Sequence, residues 1–473
     1  MKGKDFSRRD FLRMSALTAA GVTLAACAKP ATEEPTVAPK VEEPTPTTEM
    51  VAEEVVTLEF WWGWGGTTGM NAMEAVADAF NKQHEGLQAN PLVPSPSMDE
   101  KLLTAIAGGE PPDVAVGNIA FSQFCARGSF TPLDDYFAAS EVVPLRSDDI
   151  IASLWEDGSW QGTVYGLAAG EVGPRMGFVY NVGLVEQAGL DPDSPPLTWD
   201  ELYKWHEEIT TLDAAGNVEI LGFDPLDAMG GRRPTSDSSF FWADSYGFEW
   251  WNGDDVTFNF DNELFAASLA TIKKFYDLVG IEKVEGYRSS YGTWTQSPTA
   301  SFPAGVQAAI LNGYWTPGEL VHSAPDLSFR YTWPPNSSER QGVKFQNVGG
   351  HPVTIPKGVT KPDKAFKLLE FMTMPASMDI ILDTTGWFGP RISWLKGVDP
   401  GRFPGLDFYL QSSIEADELK PCPLCPISSF VGQELNNTWD AVNYGEKTPQ
   451  EAAKDLQDLL TEELKKQFPE LVS

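Results

Sequence analysis

Residues 63–69 (GWGGTTG) have the glycine content of a loop that cradles a phosphate group. A dinucleotide-binding fingerprint needs the order GxGxxG, because its glycines make a tight turn and let the backbone approach the ligand. Here Thr68 occupies the third glycine position, and the bulky Trp64 lies inside the loop. The chain also has no GxxxxGK[ST] motif. The sequence therefore predicts that any ATP hydrolysis belongs to a partner.

The histidines and serines do not form a hydrolase pattern. The four histidines are widely spaced, and none belongs to an HExxH motif; they are His84, His206, His322 and His351. A GxSxG motif, which presents the nucleophile of many hydrolases, is also missing. We therefore expect no metal, no cofactor and no catalytic residue.

Four cysteines are too few for a disulfide scaffold. Cys422 and Cys425 form a CxxC pair with no histidine nearby, so a four-ligand zinc site is not indicated. In an oxidising compartment the pair predicts a short disulfide, with Cys125 as an alternative partner.

The chain is strongly acidic. Its 67 Asp and Glu against 34 Lys and Arg give a net charge of −33. Such a surface repels nucleic acids and anionic lipid headgroups, so neither is an expected ligand. The plainer interpretation is that this charge keeps an exported protein soluble.

The first 26 residues have the features of an export signal. Residues 7–12 (SRRDFL) resemble a twin-arginine motif, and residues 14–26 form an apolar run. This run of about 13 residues is too short for a bilayer core, which takes about 20. It ends in LAAC, which resembles a bacterial lipobox with Cys27 as the lipidated residue. The alternative is a plain signal peptide with an incidental cysteine.

Residues 27–54 are expected to form a tether behind that lipid. Residues 28–54 hold five Pro, five Thr and seven Glu, and no aromatic residue. Such a segment cannot bury enough apolar area to offset its ordering entropy, and its reach is on the order of 30 Å. The folded part should begin near Val55.

The folded part begins with an α/β pattern. Residues 55–60 (VVTLEF) predict a strand, and residues 73, 76, 77 and 80 form one apolar helix face. A second helix follows, and residues 113–116 (DVAV) predict a short buried strand. This order is typical of an α/β lobe with a largely parallel sheet. At 473 residues, two lobes are expected.

Five segments, in order along nearly the whole mature chain, resemble the family 1 extracellular solute-binding proteins, the group of maltose-binding protein. They are residues 58–66 (LEFWWGWGG), 101–118 (KLLTAIAGGEPPDVAVGN), 165–190 with 195–205, 302–315 (FPAGVQAAILNGYW), and 348–372 with 386–391.

The resemblance implies two α/β lobes of the type II periplasmic binding fold, with the ligand cleft between them. By position, lobe 1 is expected at 55–170 plus 350–388 and lobe 2 at 171–349 plus 389–473. Hinges are expected near Gly170, Gly349-Gly350 and Gly389-Pro390, where Gly and Pro positions can absorb backbone rotation. Gly349 and Gly350 are also candidate ligand-binding residues. The implied protein is a monomeric, membrane-tethered lipoprotein outside the cytoplasmic membrane, which delivers sugar to an ABC importer permease with its ATPase.

Aromatic rings can stack on the C–H face of a sugar, while polar groups bond its hydroxyls. The candidate stacking residues follow predicted strands or lie beside loops and hinges; they are Trp61, Trp62, Trp64, Trp242, Tyr291, Trp294, Trp315, Trp387 and Phe388. Alternation along the first strand sends at least one of its tryptophans into the core. The polar candidates are Asn118, Glu171, Arg175 and Arg391, for which a structural salt bridge is equally compatible. Trp199, Trp205 and Trp394 are expected in the core.

The main alternative is a glycoside hydrolase or another carbohydrate-active surface protein, since such enzymes also combine aromatic platforms with paired carboxylates. The ligand itself stays open among mono-, di- and oligosaccharides, and some relatives bind polyols, glycerol phosphates or peptides. The acidic composition, with few Lys or Arg near the candidate loops, disfavours phosphorylated ligands.

Overall fold

A computed structural model of the chain describes residues 55–63, 66–94, 98–117, 120–226, 235–421 and 423–472. The predicted signal peptide, the tether and Cys27 lie outside these ranges, as do Trp64, Asn118 and Cys422. The strands are β1 (Val56–Trp62), β2 (Leu87–Leu92), β3 (Val114–Val116), β4 (Ser159–Trp160), β5 (Thr163–Val164), β6 (Gly166–Pro174), β7 (Gly177–Asn181), β8 (Thr211–Leu212), β9 (Val218–Phe223), β10 (Trp251–Asn252), β11 (Thr257–Phe258), β12 (Gln307–Asn312), β13 (Phe329–Thr332), β14 (Phe345–Thr354) and β15 (Glu418–Lys420).

The helices flank these strands. They are α1 (Gly66–Gln83), α2 (Met98–Gly108), α3 (Phe121–Ala126), α4 (Asp134–Ala139), α5 (Ala152–Asp157), α6 (Val182–Gln187), α7 (Trp199–Ile209), α8 (Thr235–Tyr246), α9 (Glu263–Asp277), α10 (Ile281–Ser289), α11 (Thr316–Ser323), α12 (Pro362–Met372), α13 (Pro375–Thr385), α14 (Ile392–Leu395), α15 (Leu406–Glu415), α16 (Ser428–Asn443) and α17 (Pro449–Gln467), with a 3-10 turn at Ser338–Arg340.

The first sheet has the order β15-β14-β3-β1-β2, and β6 pairs with β14. Strand β1 runs parallel to both β2 and β3, as the strand–helix pattern predicts. Phe60 and Trp62 of β1 lie opposite Val114 and Val116 of β3. Parallel strands buried in this way carry apolar side chains on both faces, which explains the three fully buried residues of β3.

The second sheet has the order β13-β7-β12-β9-β8. Only β9 and β12 pair in parallel; the other three pairings are antiparallel. The expectation of a mostly parallel sheet in each lobe is therefore wrong for this one. Strand β7 follows β6 after two residues and runs antiparallel to both of its neighbours, β12 and β13.

Strands β6 and β14 form a long antiparallel ribbon that connects the two sheets. The ribbon pairs along residues 166–174 and 348–354, and all nine residues of β6 are buried. At one end β14 pairs with β3 of the first sheet, while β6 leads into β7 of the second. The described residues between Val55 and Val472 belong to one compact unit, which contains this ribbon.

Local signals in the sequence explain several element boundaries. Thr198 and Thr448 each open a helix with a complete capping box, closed by Glu201 and Glu451 respectively. A tight turn joins β4 and β5, with positive φ angles at Gln161 and Gly162. Within the described ranges, no helix combines the length and apolarity that a bilayer crossing needs.

Two of the four cysteines lie within the described residues: Cys125 and Cys425 are both buried thiols. Cys422 lies outside these residues, so the disulfide between Cys422 and Cys425 stays a prediction. Burial raises the pKa of Cys425 to about 12, which keeps the thiol protonated and unreactive. The backbone carbonyl of Cys425 instead accepts a 2.6 Å hydrogen bond from Ser122, which fixes this segment against α3.

Candidate functional site

The three segments predicted as hinges lie side by side in the structure. Gly350 of β14 pairs with Val172 of β6, and Val172 also forms an isolated bridge with Phe388, next to Gly389. Gly349 pairs with Gly173. A side chain at Gly173 would meet the ring of Tyr314 at 2.5 Å, so glycine is required for this close approach. The crossing therefore brings three distant parts of the chain into contact with the end of β12.

Four charged or titratable side chains lie on or beside this ribbon, and we call them the crossing-strand cluster: Glu171, Arg175, Glu319 and His351. Glu171 and Arg175 are each 8% exposed. Nε2 of His351 lies 3.3 Å from Oε2 of Glu171, and the ring also bonds the backbone of Gly117, the residue that follows β3. The cluster thus touches the carboxyl end of a strand of the first sheet.

Glu319 connects the same cluster to the second sheet. It lies on α11, which begins four residues after β12. Thr295 donates a hydrogen bond to Glu319, and Asn312, the last residue of β12, donates to Thr295 at 3.1 Å. Because carboxyl ends of strands are where open α/β sheets bind ligands, this convergence is the geometry expected of a ligand site.

The protonation states in the cluster follow from burial and from neighbouring charges. Burial and the positive charge of Arg175 lower the pKa of His351 to about 3, so the ring is neutral at pH 7. Burial and the negative charge of Glu171 raise the pKa of Glu319 to about 7, although the hydrogen bond from Thr295 opposes this shift. At pH 7 the His351 ring is therefore neutral and the Glu319 carboxyl group is partly protonated.

Trp315 lies one helical turn before Glu319, at the start of α11. It is 6% exposed and packs with Tyr314 against the apolar core of the first sheet, although both residues follow a strand of the second. The two rings meet edge to face at 5.1 Å. Nε1 of Trp315 has no hydrogen-bond partner among the residues that the structure describes. Trp315 therefore connects the two halves and keeps a free donor.

The tryptophans of β1 divide between two environments. Trp62 is completely buried and stacks on Trp387 with 6.3 Å between ring centroids, which places it in the core below Gly170. Trp61 is half-buried and donates to Glu59 at 2.6 Å. Strand alternation predicted this division without saying which ring is buried. Trp62 offers no surface to a ligand here, and Trp387 is partly covered by it.

The candidates of the second half lie apart from the cluster or in the core. Trp242 is 2% exposed and stacks on Trp199 at 4.4 Å, so it is a core residue. Tyr291 packs on Tyr287 at the edge of the same core. Trp294 is 41% exposed and precedes Thr295, which brings it near the site through the backbone. As expected, Trp199, Trp205 and Trp394 are buried.

Arg391 has a structural role in this fold. Its guanidinium donates to the carbonyls of Thr373 and Val142 at 2.5 Å each and to Asp149 at 3.1 Å. These hydrogen bonds connect the start of α14 to residues 142, 149 and 373. The guanidinium of Arg391 therefore bonds protein groups in this structure. Phe388 is likewise buried, 5.5 Å from Tyr314.

Two members of the cluster were not among the residues singled out from the sequence. His351 immediately follows the predicted hinge glycines, and Glu319 lies four residues after Trp315. Glu319 is one helical turn from Trp315, and His351 is on the same strand as Gly350. This spacing was the signal that could have identified both residues. In the described part of the chain, no group of three or more His, Cys, Asp and Glu side chains could hold a metal ion.

Comparisons with known proteins extend this picture. A family model described as bacterial extracellular solute-binding protein matches residues 64–379. The sn-glycerol-3-phosphate-binding periplasmic protein UgpB of Yersinia enterocolitica is 22% identical over 429 residues, which cover 85% of this chain and 90% of that protein.

Solved structures show the same two-lobed fold. CpMnBP1 with mannotriose bound has a TM-score of 0.73 at 22% identity and covers 85% of this chain and 99% of its own. The maltose/maltodextrin-binding domain MalE from Bdellovibrio bacteriovorus, bound to maltotriose, has a TM-score of 0.66 at 17% identity, over 87% and 100% of the two chains. The fold class predicted from the sequence, two α/β lobes of the periplasmic binding type, is confirmed.

Proposed function

Because the chain belongs to the family of bacterial extracellular solute-binding proteins, we propose that it captures a neutral saccharide between its two sheets and delivers it to an ABC importer. The observation that carries the proposal is the crossing-strand cluster. Its side chains are held by the ends of β3 and β12, one from each sheet. A solute bound there contacts both halves, so binding depends on their relative position.

The lobe boundaries follow the same proposal. We place lobe 1 at residues 55–170 plus 350–388 and lobe 2 at residues 171–349 plus 389–473, with movement about Gly170, Gly349 with Gly350, and Gly389. The side-by-side arrangement of these segments supports a common hinge. A ligand that touches both lobes binds the closed form more tightly, and this difference in affinity shifts the population toward closure.

The charge of the cluster supports a neutral solute over a phosphorylated one. A phosphate ester carries up to two negative charges and is usually bound by several cations or helix N-termini. The cluster holds one arginine, Arg175, against two acidic side chains, Glu171 and Glu319, and its histidine, His351, is neutral at pH 7. The relative UgpB is named for a phosphate ester and CpMnBP1 was solved with mannotriose, so the two ligand classes can be compared directly.

The test is a calorimetric titration of the purified full chain with mannotriose and, separately, with sn-glycerol 3-phosphate. We expect saturable binding of mannotriose at least tenfold tighter than binding of the phosphate ester. After overnight incubation, chromatography should recover the trisaccharide intact. Tighter binding of the phosphate ester would overturn the neutral-solute proposal, and released mono- or disaccharide would support a glycoside hydrolase instead.

We also propose that a lipid on Cys27 tethers the protein to the outer face of the cytoplasmic membrane. The twin-arginine-like motif, the apolar run and the LAAC sequence support this, in that order along the chain. The change Cys27→Ser should move the protein from the membrane fraction to the soluble fraction, since it removes the thiol that carries the lipid. Fractionation followed by immunoblotting measures the shift, and a variant that stays with the membranes would contradict the lipid anchor.

A further inference from the structure

A cavity of about 640 Å³ lies apart from the crossing-strand cluster. The turn of the β4–β5 hairpin borders it on one side, and the β10–β11 hairpin borders it on the other. Asn347 of β14 and Lys420 of β15 complete the wall. No member of the crossing-strand cluster lines this cavity. It is therefore a second, partly open space whose lining residues differ from those of the proposed saccharide site.

Indole rings and carboxylates dominate the cavity wall. Trp160, Trp250 and Trp251 contribute three large rings. The acidic residues of the wall are Glu156, Asp244, Glu249 and Asp254. A wall of this composition attracts cations, because the face of an indole ring and a carboxylate both carry negative potential.

The single lysine of the wall does not neutralise this charge. Nζ of Lys420 lies 3.1 Å from Oδ1 of Asp244 and 3.5 Å from Glu418, so its charge is balanced by these two groups. Asn347 donates to the other oxygen of Asp244 at 2.7 Å. Glu156 and Glu249 are exposed at the rim and have no lysine or arginine of the wall beside them.

One acceptor in the wall is also unused. Oδ1 of Asn347 has no hydrogen-bond partner among the described residues, and the residue is 1% exposed. A buried amide oxygen without a partner is destabilising, because no hydrogen bond compensates for its removal from water. A ligand with N–H groups would satisfy it, whereas an anion or a ligand with acceptors alone would not.

We propose that this cavity binds a small organic ammonium ion, with its carbon chain against the indole rings and its N–H groups directed to the carboxylates. The aromatic rings favour an organic cation over a metal ion, because they supply apolar contact as well as cation–π attraction. The site is distinct from the saccharide site and does not depend on the function proposed for it.

The test uses calorimetric titration of the full chain with 1,4-diaminobutane, and with 1,4-butanediol as a neutral probe of the same length. We expect the diamine to bind with a stoichiometry near one and the diol to show no saturable heat. Equal binding of both probes, or a diamine titration without saturation, would overturn the proposal. The second outcome would mean that the diamine responds only to the general negative charge of the chain.

Two double variants separate the cavity from that general charge. Glu156→Gln with Glu249→Gln removes two rim carboxylates, and Glu74→Gln with Glu85→Gln removes two exposed carboxylates elsewhere on the surface. The rim variant should weaken diamine binding at least tenfold, while the surface variant should change it less than twofold. Equal effects would refute the site. Mannotriose affinity should be unchanged in both variants, so a failure here is distinguishable from a failure of the saccharide proposal.

Discussion

Replacing Trp62 with alanine should lower the free energy of unfolding by about 3–5 kcal/mol, the range measured for truncation of large buried aromatic residues. The ring is completely buried, stacks on Trp387 and meets Phe60 edge to face. It also fills the space directly beneath Gly170 of the crossing ribbon, within 3.0 Å of the position that a Cβ atom there would take. Removing it leaves a void under a strand that joins the two sheets.

Urea denaturation followed by circular dichroism measures the change. Trp294→Ala is the matched control, because that ring is 41% exposed and its loss should cost less than about 1 kcal/mol. If Trp62→Ala changed stability by less than the control but abolished saccharide binding, the assignment of Trp62 to the core would be wrong and the ring would belong to the binding site.

Replacing Trp315 with alanine should weaken saccharide binding by about 1–3 kcal/mol, or roughly 5- to 150-fold in Kd. The ring starts the helix that carries Glu319 and packs against the core of the other sheet. At 6% exposure the ring is covered by protein atoms in this structure, so the expected effect requires that the two halves separate around the ring. A sugar entering between them can then take the place of the protein atoms on that face and accept a hydrogen bond from Nε1.

The change Trp315→Phe gives a graded test of the same idea. Phenylalanine keeps an aromatic face but lacks the indole N–H, so its effect should lie between those of the wild type and alanine. If phenylalanine bound as weakly as alanine, the hydrogen bond would account for the effect. If both variants bound like the wild type, Trp315 would serve only to pack the two halves together.

The sequence predicted well those features that depend on neighbouring residues. The helix capping boxes at Thr198 and Thr448 each depend on two side chains three residues apart, and both capping boxes are formed. Asp113 follows two prolines just before β3, and its carboxylate accepts a hydrogen bond from the backbone N–H of Glu59 at 2.8 Å. Such interactions depend on short-range geometry, which a sequence specifies directly.

The candidate site was harder to predict because its members converge only in three dimensions. Glu171 and His351 are 180 positions apart along the chain, and they meet only because β6 and β14 pair in one particular register. The shift in strand register between Gly350 and Pro352 affects the direction of the His351 side chain, and no local sequence pattern predicts this shift. The sequence therefore identified the ribbon by its glycines but not the polar pair on it.

The tryptophans show the same limit. In a sequence, Trp62 and Trp242 resemble Trp315, since each follows or borders a predicted strand or loop. Burial distinguishes them: Trp62 is covered by Trp387, and Trp242 is covered by Trp199. Neither stacking partner is near in sequence. Whether a ring lies in the core or faces a ligand therefore depends on tertiary packing, which the number of aromatic residues does not predict.

The most direct test of the central claim, that a saccharide binds between the two sheets at the crossing ribbon, is a crystal structure of the full chain grown with mannotriose. The account predicts density for the sugar within hydrogen-bonding distance of Glu171 or His351 from the ribbon and in contact with Trp315 at the end of β12. Density confined to one sheet, or sugar bound only in the indole-lined cavity at Asn347, would contradict it.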